Sequence, residues 1–484
     1  MDFIHRTFQD YLAARAAVQE GDLGLLVRNA HDDQWEDVIR MSVWHASPAV
    51  RADLLSRLLR QARLDSEESA RLVILAMTCL EYAVELSPAM QTQVEDEAAR
   101  LLPPRDMEAA DRLARAGSAI LELLPGPDGL DRPTARAVVQ AAIQTADPRA
   151  IPLLARYADH PDGPLRLTLA NAWARFDTVE YGRQVIVRLQ SDDPLSISAP
   201  DQVDFIGSAG GHRSIRHAGP LSRTEIEKYG ELQLAHLELD QQWGEADLSA
   251  LSGCSALRFL SLQVHKADLW PLSGLGLEAL HLVSGRYRSL YALADMARLT
   301  SLVLPTDGVI DQDRLSALPA SLRRLRLRLM DVGRPFTGLL RFTELEHLEL
   351  NISAPSKASL APLADLPRLH TLVLDDENLA LLDSAPVLPS VRHLVLYRPQ
   401  EVAEFRFLVR CYPELESLVL RGIADQSLDL AQLAPLRRLR HVEVRSGHPE
   451  LVRGQEHLAG VDVDIAWRPY SWARAALYQP KTLL

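Results

Sequence analysis

The sequence predicts two repeat architectures in series: an all-helical N-terminal half, then an α/β solenoid of short parallel strands and helical turns. Three observations predict it. Apolar residues recur at a helical period as far as about residue 190. A six-residue unit, L-x-x-L-x-L, then returns ten times, in steps of 20 to 24 residues. Between the two lies a turn-rich stretch, 191–229, containing "SDDPLSISAPDQ" and "GSAGGHRSIRHAGP", which reads as a linker or cap.

The chain opens on "FIHRTFQDYLAARAA", from Phe3. Phe3, Thr7, Phe8, Tyr11, Leu12 and Ala16 follow a 3.6-residue period and are expected to line one buried face. Farther on, Trp35, Val38, Ile39, Ser42 and Val43 share a face, as do Leu54, Leu55, Leu58 and Leu59. "ARLVILAMTCLEYAVEL", from Ala70, is apolar nearly all round and reads as a central helix. Pro88, Pro103, Pro104, Pro125 and Pro133 fall where helices start or stop. In "DPRAIPLLARYADHPDGPLRLTLANAWARFD", from Asp147, two antiparallel helices bury Ile151, Leu154 and Tyr157, then Leu165, Leu169, Ala172 and Trp173. With its aspartate turn and Arg166 in the second helix, this segment resembles one HEAT repeat, making the first half HEAT- or armadillo-like. An ordinary helical hairpin fits the same residues.

The ten units of the second half begin at Leu234, Leu257, Leu277, Leu299, Leu322, Leu345, Leu369, Val391, Leu415 and Leu439, with a degenerate "LAGVDV" at Leu458. The last two apolar positions of each unit are two apart, so both point to one side of a strand. Segments such as "SLAPLADLPRL", from Ser359, carry leucines three apart and suit a 3₁₀ turn or short helix behind the sheet. One unit cannot bury its own face, so the core is shared between neighbours. The period is that of leucine-rich repeats, and the half resembles bacterial arrays of that family. The family places Asn or Cys three residues after the last strand leucine; here Gln242, His265, Gly285, Asp307, Met330, Ser353, Glu377, Pro399, Ile423 and Gly447 occupy those positions.

"FIHRTFQDYLAA" resembles the F-x-H-x-[ST]-F-Q-E-[YF]-L-A-A stretch of NACHT-type signalling NTPases of the STAND class. Phe3, His5, Thr7, Phe8, Gln9, Tyr11, Leu12, Ala13 and Ala14 match it, and Asp10 stands for glutamate. In that family the stretch follows the nucleotide-binding module near its winged-helix part, with helical and leucine-rich repeats after it. The resemblance implies that Phe3, Phe8 and Tyr11 face an NTPase domain, supplied upstream or by a separate chain. A capping helix packed on the next helices is the alternative. The implied layout is 1–20 a helix of the NACHT region, 21–190 helical repeats, 191–229 a linker or cap, 230–466 leucine-rich repeats and 467–484 a C-terminal cap or tail. The implied function is a non-catalytic sensor of an immune-type, anti-phage signalling protein. A stand-alone adaptor, or the substrate-recognition part of a separately encoded enzyme, is the rival reading.

Composition narrows the chemistry. The net charge of −13 argues against a phosphate-neutralising nucleic-acid binder, so a protein partner is expected. Only four lysines occur, none before Lys228, and no Gly-Lys dipeptide exists for a Walker A loop. There is no HExxH and no G-x-S-x-G, so no catalytic, cofactor or metal site is expected. Cys79, Cys254 and Cys411 are far apart, which fits unpaired thiols in a reducing cytoplasm. No run of apolar residues approaches the ~18 of a membrane span. His236, His281, His347, His393 and His441 fall at strand positions and read as solvated surface histidines. Trp467, Tyr470 and Trp472 read as a cap on the last repeat.

In each unit the third and fifth residues, and the one after the sixth, point to the open concave face. This assigns Arg324, Arg326 and Arg328 to one patch. It assigns Val373, Val395 and Val419 to an apolar strip flanked by Asp375, His393, Tyr397 and Arg421. An apolar strip with polar and aromatic flanks suits a protein ligand, possibly foreign. Two plainer readings stand beside it: Arg326 simply pairs with Glu349, and valine simply suits strands.

Overall fold

The computed structural model describes residues 6–64, 68–83, 85–190, 192–219, 223–305, 308–330, 335–353, 360–374, 386–397, 405–423 and 427–467. The chain forms two compact units, 1–209 and 210–484.

The first unit is helical. Its helices begin where a small polar residue can cap exposed backbone N–H groups and proline costs no hydrogen bond. Ser87 accepts from the Met90 N–H and Pro88 opens the helix Pro88–Ala99. Asp131 caps Arg132–Gln144 through the Thr134 N–H, and Asp162 caps Gly163–Asn171 through the Leu165 N–H. The apolar stripes fall inward as expected: Val38, Ile39, Ser42 and Val43 are buried in Glu36–His45, and Leu54, Leu55, Leu58 and Leu59 in Pro48–Leu64. The central helix spans only Ser69–Thr78, with Ala70, Leu72 to Ala76 and Thr78 all buried. A 3₁₀ turn, Cys79–Tyr82, continues it.

The hairpin around residue 160 is Ala150–Ala155 and Gly163–Asn171, with Tyr157 and Trp173 fully buried. Two guanidinium–carboxylate pairs brace these helices, Arg136 to the cap residue Asp162 and Arg166 to Asp193 in a turn farther along. Arg136 donates to both oxygens of Asp162 at 2.5 and 2.7 Å. Arg166 donates to both oxygens of Asp193 at 2.6 and 3.1 Å, and to the His160 carbonyl at 2.8 Å. Asp162 therefore caps one helix and anchors an arginine of Arg132–Gln144, two helices earlier. Its carboxyl is held below the usual range, chiefly by hydrogen bonding from Arg136.

The opening helix, Arg6–Gln19, corrects the sequence reading. Its inward face is Asp10, Ala14 and Ala17. Thr7, Leu12 and Ala16 are exposed, and Phe8 is 57% exposed. The small alanines face inward, allowing close approach of the backbone, and the aromatic side is left outside.

The second unit is a parallel sheet. Strands Ser214–Ala218, His236–Ala246, Phe259–Asp268, Ala279–Arg288, Ser301–Val303, Arg324–Met330, His347–Ser353, Thr371–Leu374, His393–Tyr397, Ser417–Ile423, His441–Ser446 and Asp462–Trp467 pair in chain order. The fourth residues of the units lie side by side, as in Leu325↔Leu348, Leu348↔Leu372 and Leu372↔Leu394. All four are fully buried, so the leucine column is one continuous core. 3₁₀ turns such as Leu248–Gly253, Gln312–Ala317 and Ala361–Asp365 return the chain between strands. This is a leucine-rich-repeat solenoid.

Two boundaries differ from the sequence reading. The described residues of 191–229, read from sequence as a linker or cap, include regular elements, among them Pro200–Ser208 and Ser214–Ala218. Strand Ser214–Ala218 pairs in register with His236–Asp240 and adds a repeat, "HRSIRH", before the first recognised one. His217 holds the place of its last leucine; it is buried and its Nδ1 lies 2.6 Å from the Tyr229 hydroxyl. At the other end His441 pairs with Asp462 and Val444 with Ile465, so the last unit is "GVDVDI" from Gly460, two residues later than "LAGVDV" implied. A shift of two keeps each side chain on its face.

At two of the described repeats other groups stand where the family has its Asn or Cys. Gly285 takes φ +114°, and a Cβ there would stand 1.8 Å from the Val264 carbonyl oxygen, so only glycine permits that approach. Buried Ser446, next to Gly447, donates to the Ile423 carbonyl at 3.4 Å and accepts from the His448 N–H at 3.0 Å.

Candidate functional site

Strand alternation places the expected residues outward. Along Arg324–Met330 burial alternates, with Leu325, Leu327 and Leu329 inside and the three arginines on the open face. Arg324 is exposed, while Arg326 and Arg328 are half-buried. The registers Arg326↔Glu349, Glu349↔Val373, Val373↔Val395, Val395↔Val419 and Val419↔Glu443 form one row across six strands. The arginine patch and the valine strip are therefore one surface, apolar at its centre and charged on both sides.

Arg326 and Glu349 do pair: Nε stands 3.0 Å from Oε1, with the side chains only 12% and 20% exposed. The contact is an ion pair without hydrogen-bond alignment, since Arg326 Nε and Nη2 are buried with no hydrogen-bond partner. Burial raises the Glu349 carboxyl above its usual value, and the Arg326 charge opposes the rise. At the far side Arg421 Nη2 stands 3.5 Å from Glu443 Oε1. Arg445 lies 3.4 Å from Glu443 and 2.6 Å from Asp464. Glu443, Arg445 and Asp464 extend the surface beyond what the sequence reading included.

Two members of the strip are covered. Val373 is 6% and Tyr397 5% exposed; Val395 and Val419 are half-buried and His393 is exposed. Tyr397 lies opposite Arg421, and burial raises its phenol, with Glu349 adding to the rise. Asp375 falls outside the described residues. The accessible part of the strip is Val395, Val419, His393 and Arg421.

The histidines are not uniformly solvated. His281 is 3% exposed and His347 half-buried. Burial, with Arg326 near the first and Arg324 and His370 near the second, pushes each down to about 4. Neighbouring strands bring long side chains against these rings, which a single repeat read alone does not reveal. Among the described residues no group of three or more His, Cys, Asp or Glu is placed to hold a metal ion, and no helix is long and apolar enough to cross a membrane.

The first unit carries a second candidate surface. The rings of Phe8 and Tyr11 stack at 6.5 Å, Tyr11 meets His45 edge-on at 4.8 Å, and Trp44 meets His45 at 4.7 Å. Phe8 and Trp44 are 57% and 56% exposed and Leu12 36%, while Tyr11 is half-buried. Phe3 lies outside the described residues. Trp44 was not singled out from sequence, although it ends a helix whose buried face excludes it.

No family model and no curated protein matches the chain. Among solved structures, an internalin from Listeria monocytogenes is 16% identical, over 55% of this chain and 89% of that one, with a TM-score of 0.31. TLR13 in its complex with ssRNA13 is 15% identical, over 59% of this chain and 54% of that one, at 0.33. The plant peptide hormone receptor RGFR1 bound to RGF2 is 15% identical, over 59% and 50%, at 0.31. Similarity at this level says nothing of what this chain binds.

Proposed function

We propose that the chain is the non-catalytic, ligand-sensing and protein-interaction module of a NACHT-type leucine-rich-repeat signalling protein. In this reading it acts in the cytoplasm, in an immune-type, anti-phage role. The observation that carries the interaction role is the single row from Arg326 to Glu443, with half-buried Val395 and Val419 at its centre. An apolar centre within a charged rim is the anatomy of a protein interface. The opening motif supports the NACHT assignment, and the exposed Phe8 with its aromatic neighbours is where an NTPase domain would pack. The pair Arg136–Asp162, which joins one helix to the cap of a later one, supports HEAT-like repeats for 21–190.

The test has two parts. Val395→Glu places a charge at the strip's centre without entering the leucine column. It is expected to abolish trigger-dependent activation while the melting temperature stays put. Leu394→Glu, one residue away and fully buried, is expected to collapse the fold. Phe8→Asp is expected to break co-purification with a NACHT chain encoded directly upstream. Retained co-purification would reject the aromatic surface as the NTPase contact. The isolated chain is expected not to bind ATP with magnesium in a calorimetric titration, because it has no lysine-bearing phosphate loop.

A further inference from the structure

The sheet has an open end. In every earlier unit the fourth and sixth residues are buried, down to Val442 and Val444, both at 0% exposure. Their partners in the last strand, Asp462–Trp467, are Val463 and Ile465, and these two are only half-buried. Among the described residues no strand pairs with the far edge of Asp462–Trp467. The leucine column therefore ends on two apolar side chains and a row of backbone polar groups that no further repeat covers.

Charge decides what fits there. Residues 441–467 hold five carboxylates against two arginines, a net charge of −3 with the histidines neutral. Asp462 lies 3.0 Å from His441 and Asp464 2.6 Å from Arg445, yet their side chains stay 79% and 51% exposed. Arg445 also lies 3.4 Å from Glu443, so one cation serves two carboxylates. A second copy of the chain would set the same negative end against itself. Residues 468–484, which lie outside the described residues, hold Arg468, Arg474 and Lys481 and no acidic residue. Between Pro469 and Pro480, the residues Tyr470, Trp472, Ala473, Ala476 and Leu477 recur at a helical period on one side. The segment follows Trp467 directly, so it meets this edge at the roughly millimolar effective concentration of a short tether. We infer that 468–484 is the intramolecular partner of the last repeat. Its apolar side covers Val463 and Ile465, and its cations lie beside Asp462 and Asp464. With the edge closed, the sheet cannot extend into another chain.

Limited trypsin digestion of the full chain, read by mass spectrometry, tests this. Arg474 precedes Ala475, and a cut between them releases 475–484. In the native chain that cut is expected to be at least about tenfold slower than in Trp472→Asp, because proteolysis follows the population of the open form. Asp462→Lys combined with Asp464→Lys removes the charge match and is expected to speed the cut as well; should that variant fail to fold, Trp472→Asp decides. Sedimentation is expected to show a native monomer. Equal cleavage of the native chain and Trp472→Asp overturns the inference. So does a native dimer in which dilution speeds the cut, since that assigns the edge to a second copy.

Discussion

His281 and His347 meet the concave face as neutral imidazoles, each pushed down to about 4 mainly by burial. In the unfolded chain an imidazole titrates near 6.5, so below that pH the unfolded state takes up the proton first. Stability from these two groups is complete above about pH 6.5 and is lost as pH falls toward 4. One pKa unit is worth about 1.4 kcal/mol, so each histidine costs up to ~3 kcal/mol by pH 4. Glu349 acts the other way, because its raised carboxyl favours the folded state as it gains a proton. The two histidines together are nevertheless expected to outweigh the one carboxyl between pH 6.5 and 5. Melting curves from pH 7.5 to 5 should show falling stability, and His281→Asn should flatten that slope. An unaltered slope would mean His281 is not the buried, neutral ring described. The cysteines make a companion case: Cys79 and Cys254 are buried, with burial pushing their thiols up to about 12 and about 11. Both are expected to resist thiol reagents until the fold opens.

At the scale of an element, helix starts were legible because caps are local: Ser87-Pro88 and Asp162-Gly163-Pro164 announce themselves within three residues. The partners were not, since Arg136 and Asp162 are 26 positions apart. Asp162→Ala removes a cap worth about 1 kcal/mol and a charge-assisted pair worth about 1–2 more, from a carboxylate only 5% exposed. Arg136 is 44% exposed at its side chain and can return to water, which limits the loss to about 2–3 kcal/mol. Chemical denaturation should report that loss with an unchanged m-value, while Asp162→Asn, which keeps a capping oxygen, should recover the cap's share. The opening helix shows where pattern reading fails. Periodicity gave the bulky residues to the core, but Ala14 and Ala17 won the inward face because small side chains let two helices approach closely. The concave face was legible in outline because strand alternation has a period of two. The cover over Val373 and Tyr397 was not, because the groups around Tyr397 include Arg421, Glu349 and Arg326, from other repeats.

Over the whole molecule the repeat is the unit of cooperation. The steps of 20 to 24 residues revealed it in the sequence, and where a unit lacked leucine the pattern weakened: "HRSIRH" went unrecognised because His212 and His217 hold two of its apolar positions. Each strand's core contacts are mainly with its two neighbours, so stability should pass along the sheet by nearest-neighbour coupling. Leu350 is 1% exposed and lies beside Leu327 and Leu374. Leu350→Ala leaves a cavity and should cost about 2–5 kcal/mol. Hydrogen exchange is the discriminating measurement, because it resolves where that loss is felt. Protection should fall most in Arg324–Met330, His347–Ser353 and Thr371–Leu374, less in strands farther away, and little in the helices of residues 6–190, which bury a separate core around Leu54, Leu55 and Leu58. Uniform loss across both units would show that 1–209 and 210–484 unfold as one body. Loss confined to the strand His347–Ser353 would show that the leucine column is packed too loosely to carry strain from one repeat to the next.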